Sequence, residues 1–224
     1  MPLSHGAGST HTGTVKVREV YLESAAATTT FLGHPAVAGC WEAPSALARL
    51  RVGALAAHLA SQLTQVPPVL DAPVAHERVS LAEHFARSDW TDGDIDSPVN
   101  TYIRRIATEE AAAGPAAVVA AAGAALAELR RRLPAEPAER VIQLPWGPWA
   151  LSLDDYLTTR LLELAVHCDD LAASIGADPP ALPPGGLDAV IGVLCRMATR
   201  RHGPAALIRA LSRAERAPET IAAL

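Results

Sequence analysis

Between Ser152 and Gly176 the sequence permits one long helix and little else. Ser152 stands three residues before Asp155, the spacing of a capping box with Asp in place of Glu or Gln. The helix then runs from about Leu153 to about Ile175 and stops before Gly176. A helix of that length needs partners for its apolar face, so the rest of the chain must supply them. Val17, Val20, Tyr21, Ser24, Thr28, Phe31 and Leu32 recur at helical spacing and predict a first helix over about 14–32. Ser45 is placed to cap a second helix, with Leu47, Leu50, Leu55, His58, Leu59 and Leu63 on its inner stripe. Pro67 and Pro68 are expected to end it. A third helix spans about 98–132, bent or interrupted at Gly114-Pro115. The Ser152–Gly176 helix is the fourth.

Residues from about 69 to 99 form a long connection, with a short helix near Leu81–Ser88. Arg140–Leu144 reads as a short extended piece, followed by a loop through Pro145–Trp149. After a Pro/Gly linker over 177–186, two more helices follow, about 187–201 and 204–213. The expected architecture is all-α: a four-helix bundle over 14–176 with a crossover connection. Residues 187–224 form a C-terminal helical extension, and residues 1–13, rich in Gly, Ser, Thr and His, read as a disordered tail.

Composition agrees. Half of the residues are hydrophobic but only 4% are aromatic, and Ala, Leu and Val supply most of the apolar content. That mix favours helices over a β-sandwich. A formal net charge of −5 gives no electrostatic basis for nucleic-acid binding. Lys16 is the only lysine; with abundant Ala, Pro and Arg, this resembles the usage of a GC-rich bacterial genome. Residues 111–127 carry no charge, but they are mostly Ala flanked by Glu, and read as a packed helix rather than a membrane span. The start of the chain lacks the pattern of a signal peptide. Cys40, Cys168 and Cys195 are far apart, which argues against a thiolate zinc site or disulfide framework and fits the cytoplasm.

The chemistry concentrates on the fourth helix. Arg160, Glu163, His167 and Asp170 fall at steps of three and four and share one face. A carboxylate and an imidazole four residues apart can both reach one metal ion, because their side chains lie a turn apart. A third ligand must come from another helix. His58, between Leu55 and Leu59 on the buried stripe of the second helix, is the best candidate, since a lone buried imidazole needs a partner. His5 and His11 lie in the tail, His34, His76 and His84 in connections, and His202 at a helix end, so they make weaker ligands. For Arg160 a salt bridge to a neighbouring carboxylate competes with substrate contact.

The string Arg160-Leu-Leu-Glu163-Leu-Ala-Val-His167-Cys-Asp-Asp170-Leu171 resembles the signature helix of the mycothiol-dependent maleylpyruvate isomerase family, part of the DinB-like, thiol-transferase-like superfamily. Arg51–Leu63, with Ala57-His58-Leu59, resembles that family's second helix. Pro145-Trp146-Gly147 and Arg201-His202-Gly203-Pro204 also fit, so the resemblance covers most of residues 14–215. It implies a DinB-like bundle in which His58, Glu163 and His167 bind a divalent metal, usually zinc, with mycothiol as cosubstrate. It suggests Asp170 as a polar contact for the thiol, with Asn100, Arg104 and Arg160 in the same pocket. The isomerase itself carries a mixed α/β domain where this sequence reads as helices, which moves the expectation from isomerisation towards thiol transfer.

The expected function is therefore metal-dependent S-transfer from a small-molecule thiol to a small electrophile, without nucleic-acid or membrane partners and with homodimerisation open. A metal-dependent isomerase or hydrolase is the first alternative. A non-catalytic ligand-binding or regulatory bundle is the second.

Overall fold

The computed structural model describes residues 17–88 and 95–224; the expected tail, the start of the first helix and part of the acidic stretch near Asp92 lie outside the described residues. The fold is all-α, with one small two-stranded sheet among the described residues. Its helices are α1 (Val17–Leu32), α2 (Pro35–Gly39), α3 (Val52–Thr64), α4 (Val66–Asp71) and α5 (Leu81–Arg87). Then follow α6 (Pro98–Ala111), α7 (Pro115–Arg132), α8 (Leu153–Ile175), α9 (Pro184–His202) and α10 (Pro204–Ser212).

The bundle consists of α1, α3, α7 and α8, with α1 and α3 each packed against both α7 and α8. From Val52 to Leu63 every residue of α3 except His58 is buried. A helix apolar on all sides belongs at the centre of a fold. α6 packs on its remaining flank and closes it off. Leu55, Leu59 and Leu63 meet Tyr21, Tyr156 and Leu157 in a core without solvent exposure. The Tyr21 hydroxyl donates to the Gln62 carbonyl over 2.9 Å and ties α1 to α3. Arg18 clamps the other end, donating to Asp154 at 2.9 Å and to the carbonyls of Leu133, Glu136 and Pro137.

Two expectations are corrected. Ser45 does not cap the second helix. Its hydroxyl bonds to the carbonyls of Leu47 and Leu50 and closes a loop. Arg49 in that loop has φ 63°, which no helix admits. The helix starts at Val52, so Leu47 and Leu50 are loop residues. Pro67 and Pro68 do not stop it either: it ends at Thr64, and the prolines fall in the first turn of α4, where a missing N–H costs nothing. At Gly114-Pro115, where a bend or a break was expected, the third helix breaks into two set 103° apart, because Gly114 adopts φ 85° before Pro115. Only α7 enters the bundle, and α6 is swung across its side.

Ser152 caps α8 as its spacing predicts, accepting from the Asp155 N–H at 3.1 Å. The extended piece is β1 (Val141–Gln143), antiparallel to β2 (Ala150–Ser152), with the Pro/Trp loop between them. Residues 77–79 lie along β2, through Val79 N–H to the Ala150 carbonyl and Ala150 N–H to the Glu77 carbonyl, both at 2.9 Å. That pairing fixes the origin of α5. α9 begins at Pro184, inside the expected linker, and packs on α8 and α1. Among the described residues no single helix is long and apolar enough to cross a membrane.

Two glycines separate close packing from helix propensity. A Cβ on Gly53 would come within 2.6 Å of the Trp41 ring, whereas one on Gly123 in α7 meets nothing within 4 Å. Gly53→Ala should cost about 1–3 kcal/mol of unfolding free energy in urea denaturation as the indole is pushed off α3. Gly123→Ala should gain about 0.5–1 kcal/mol in the same measurement.

Candidate metal centre and its cavity

Glu163 and His58 face each other across the α3–α8 contact. His58 Nε2 lies 3.3 Å from Glu163 Oε2, and His167 Nε2, one turn along α8, lies 3.2 Å from the same oxygen. The two imidazoles meet edge to face with centroids 4.9 Å apart. One ligand atom from each of the three residues lies within 4.8 Å of the other two. Zinc bound tetrahedrally to nitrogen and oxygen at about 2.0–2.2 Å holds its ligand atoms about 3.3 Å apart. The two measured separations match that edge, so the donor set and its spacing fit a divalent metal.

The protonation pattern is uneven. Burial works against the Glu163 charge, but hydrogen bonds with His167 and His58 hold its carboxyl well below the ordinary range. Burial also opposes protonation of His167, yet Asp170 and Glu163 outweigh it and push the imidazole up to about 9. At His58 burial wins, and its pKa falls. Asp170 sits 2.9 Å from His167 Nδ1. That bond leaves Nε2 for the shared centre, the arrangement in which a carboxylate orients a metal-binding histidine.

All three residues line a cavity of about 480 Å³. Its walls include Asn100 and Arg104 of α6, Leu47 and Leu50 of the loop, Arg160, and Trp146 of the β1–β2 loop. The structure thus brings the expected site residues to one cavity, apart from Asp170, which stands behind His167. Arg104 donates to the Ile95 carbonyl and the Thr101 hydroxyl, holding the start of α6. Of the C-terminal segment, Leu224 reaches the cavity.

Arg160 makes no ion pair among the described residues. It is 8% exposed, donates from Nη1 to Gln62 Oε1 at 2.6 Å and from Nε to Thr159 Oγ1 at 3.2 Å. Its guanidinium carbon lies 5.2 Å from the Trp146 ring centroid and 5.3 Å from that of Tyr156. Cys168, next to His167 in sequence, turns away towards Thr28 of α1, and burial pushes its thiol up to about 11, so it is no nucleophile.

Sequence reasoning missed two residues. Gln62 carried no signal beyond its position four after His58; its Nε2 donates to the His58 carbonyl at 2.9 Å. His84, placed in a connection, is buried on α5 and lines the cavity. Trp149 Nε1 donates to its Nδ1 at 3.1 Å. Nothing in the spacing of residues 84 and 149 could have paired them. Three further histidines have local roles: His34 caps α2, His76 Nδ1 lies 3.2 Å from Gln143 Oε1, and His202 Nε2 lies 2.8 Å from the Ala222 carbonyl oxygen.

Burial and the nearby Arg160 charge lower the His84 pKa from 6.5 to about 4. In the unfolded chain His84 takes a proton as pH falls through 6.5, but in the folded protein it does not until about 4. Its burial is therefore neutral to stability above that window and destabilising within it. Wild-type protein should lose more stability between pH 7 and pH 5 than His84→Gln, measured as the change in unfolding free energy in urea at the two pH values. Equal losses would mean that His84 titrates normally.

A family model described as the mycothiol maleylpyruvate isomerase N-terminal domain matches residues 21–172. Comparison with curated proteins and with solved structures returns no match.

Proposed function

This chain belongs to the mycothiol maleylpyruvate isomerase N-terminal domain family, and on that premise we propose that it is a divalent-metal-dependent thiol S-transferase. The observation that carries this reading is the meeting of His58, Glu163 and His167 on one side of a cavity large enough for small molecules. Three protein ligands with a fourth side open to a cavity are the pattern of catalytic rather than structural zinc. A metal held there, zinc by donor preference, would supply the positive charge that makes a bound thiol give up its proton.

The chain's own residues do the rest. Glu163 supplies the negative charge of the ligand set, held ionised by its two imidazole partners. Asp170 acts through His167, accepting from Nδ1–H and aiming Nε2. The role expected for Asp170, direct contact with the thiol, is better filled by Asn100 and Arg104, which line the cavity. The apolar walls exclude water from the thiol, which favours its reaction with carbon over hydrolysis of the partner. Mycothiol is the thiol that the family description favours. Cys40, Cys168 and Cys195 are free, in keeping with a thiol-dependent enzyme of the cytoplasm. The family description also favours a second reading, isomerisation through a transient thiol adduct at the same site.

Elemental analysis of the purified protein should find one divalent metal per chain. His58→Ala should lose it, and conjugation of mycothiol to a chromogenic aryl halide should require it. Full metal occupancy in His58→Ala would sink the ligand set, and conjugation that survives chelation would sink the mechanism. Product analysis separates the two readings: a thioether product marks transfer, and an unchanged thiol with a rearranged substrate marks isomerisation. Asp170→Asn should keep the fold and weaken metal binding about 10–100-fold in a competition titration with a chromogenic chelator.

A further inference from the structure

Two hydrogen-bond donors on largely buried residues face the cavity and have no acceptor among the described residues. The first is His84, 2% exposed. An indole N–H can only donate, so the bond from Trp149 Nε1 requires a lone pair on His84 Nδ1. The imidazole proton is therefore on Nε2. That N–H has no acceptor among the described residues, and the residue lines the cavity. The second is Arg160, whose Nε and Nη1 are engaged by Thr159 and Gln62 while Nη2 is not.

A largely buried guanidinium without a close ion pair is costly; the faces of Trp146 and Tyr156 and the longer-range pull of Glu163 offset only part of that cost. Gln62 holds the cation in place but carries no charge to balance it. Glu163, one turn along α8, is committed to the two histidines. The arrangement is two donors on one cavity, one cationic and one neutral, close enough that the Arg160 charge acts on His84.

We propose that Arg160 and His84 form a second binding subsite in this cavity, which takes the carboxylate of the electrophilic substrate, one oxygen on the guanidinium and the other on the imidazole Nε2–H. The planar guanidinium suits a planar carboxylate. A phosphate dianion would call for more donors than the pair offers. The fixed tautomer gives His84 a use that a metal ligand or a general base would not have, because its one free nitrogen carries a proton. Trp149 is the residue that sets this polarity. The assignment rests on the thiol-transfer reading for what happens to the bound acid, but binding of the acid requires no metal.

Benzoate and its neutral isostere benzamide, titrated into the full-length ¹⁵N-labelled protein with metal bound and again after chelation, test the subsite. The indole N–H signals of Trp146 and Trp149 report directly on its two sides. Benzoate should shift both signals in both forms, and benzamide should shift neither. Arg160→Met, which removes a buried charge at similar volume, should weaken benzoate about tenfold or more while leaving metal content unchanged. His84→Leu should weaken it several-fold, and His84→Gln, which keeps an N–H donor, should recover most of the loss. Should Arg160→Met not fold, Arg160→Lys, which keeps the charge but loses the planar fork, should still show weakened binding. Equal shifts with benzamide, benzoate binding that disappears on chelation, or Arg160 variants that bind like wild type would overturn the proposal. Benzoate binding as expected in a protein that takes up no metal would instead overturn the transferase reading and leave the subsite standing.

Discussion

The centre of this protein is a helix with no face towards water. α3 is enclosed by α1, α6, α7 and α8, so each polar atom it carries must find its partner inside the protein. Three residues meet that demand in linked ways. Ser61 donates to the His58 carbonyl at 2.7 Å. Gln62 donates to the same carbonyl, accepts from Arg160 with its side-chain oxygen and from Tyr21 with its backbone oxygen. His58 turns to Glu163. The bonds that satisfy α3 are therefore the bonds that join it to α1 and α8. The polar cluster and the bundle's interior are one construction, and a change in either disturbs the other.

The same enclosure sorts the charges. Two histidines share one carboxylate oxygen, yet burial prevails at His58 and hydrogen bonding prevails at His167. The difference is the second carboxylate: His167 has Asp170 as well as Glu163, and His58 has Glu163 alone. Arg160, one turn before Glu163, adds positive potential without pairing with it, because Gln62 takes its nearest donor. The cavity thus holds a carboxylate centre and, one turn away on α8, a cation without a close ion pair among the described residues. On the reading proposed above, the first holds a metal and the second holds an acid, and the reacting carbon lies between them.

Much of this was legible in the sequence, and what was not has identifiable causes. α8 was readable from end to end because its cap, its periodicity and its terminal glycine all agree. The three clustered residues were readable because two share a helical face and the third interrupts an apolar stripe. Other features depended on backbone choices that spacing does not encode. Arg49 in a left-handed conformation turns what looks like the start of α3 into a loop. Gly114 decides between a bend and a break, and sets α6 and α7 at a corner. The bond between His84 and Trp149 joins residues 65 apart. It exists only because 77–79 pairs with β2, a tertiary event without a local pattern.

The corner at Gly114 has a consequence for how the cavity opens. α6 forms one wall, yet it buries only Ala107 and Ala111, whereas α3 buries nearly its whole length. Undocking α6 would uncover the flank of α3 that it closes, but the contacts of α3 with α1, α7 and α8 would remain. The bundle and its polar cluster can stay intact while this one wall breathes. Amide protons should therefore exchange in two tiers, with those of α6 released by a local opening and those of α3 and α8 only by global unfolding. Entry and exit of small molecules would then be timed by how firmly α6 holds to α3.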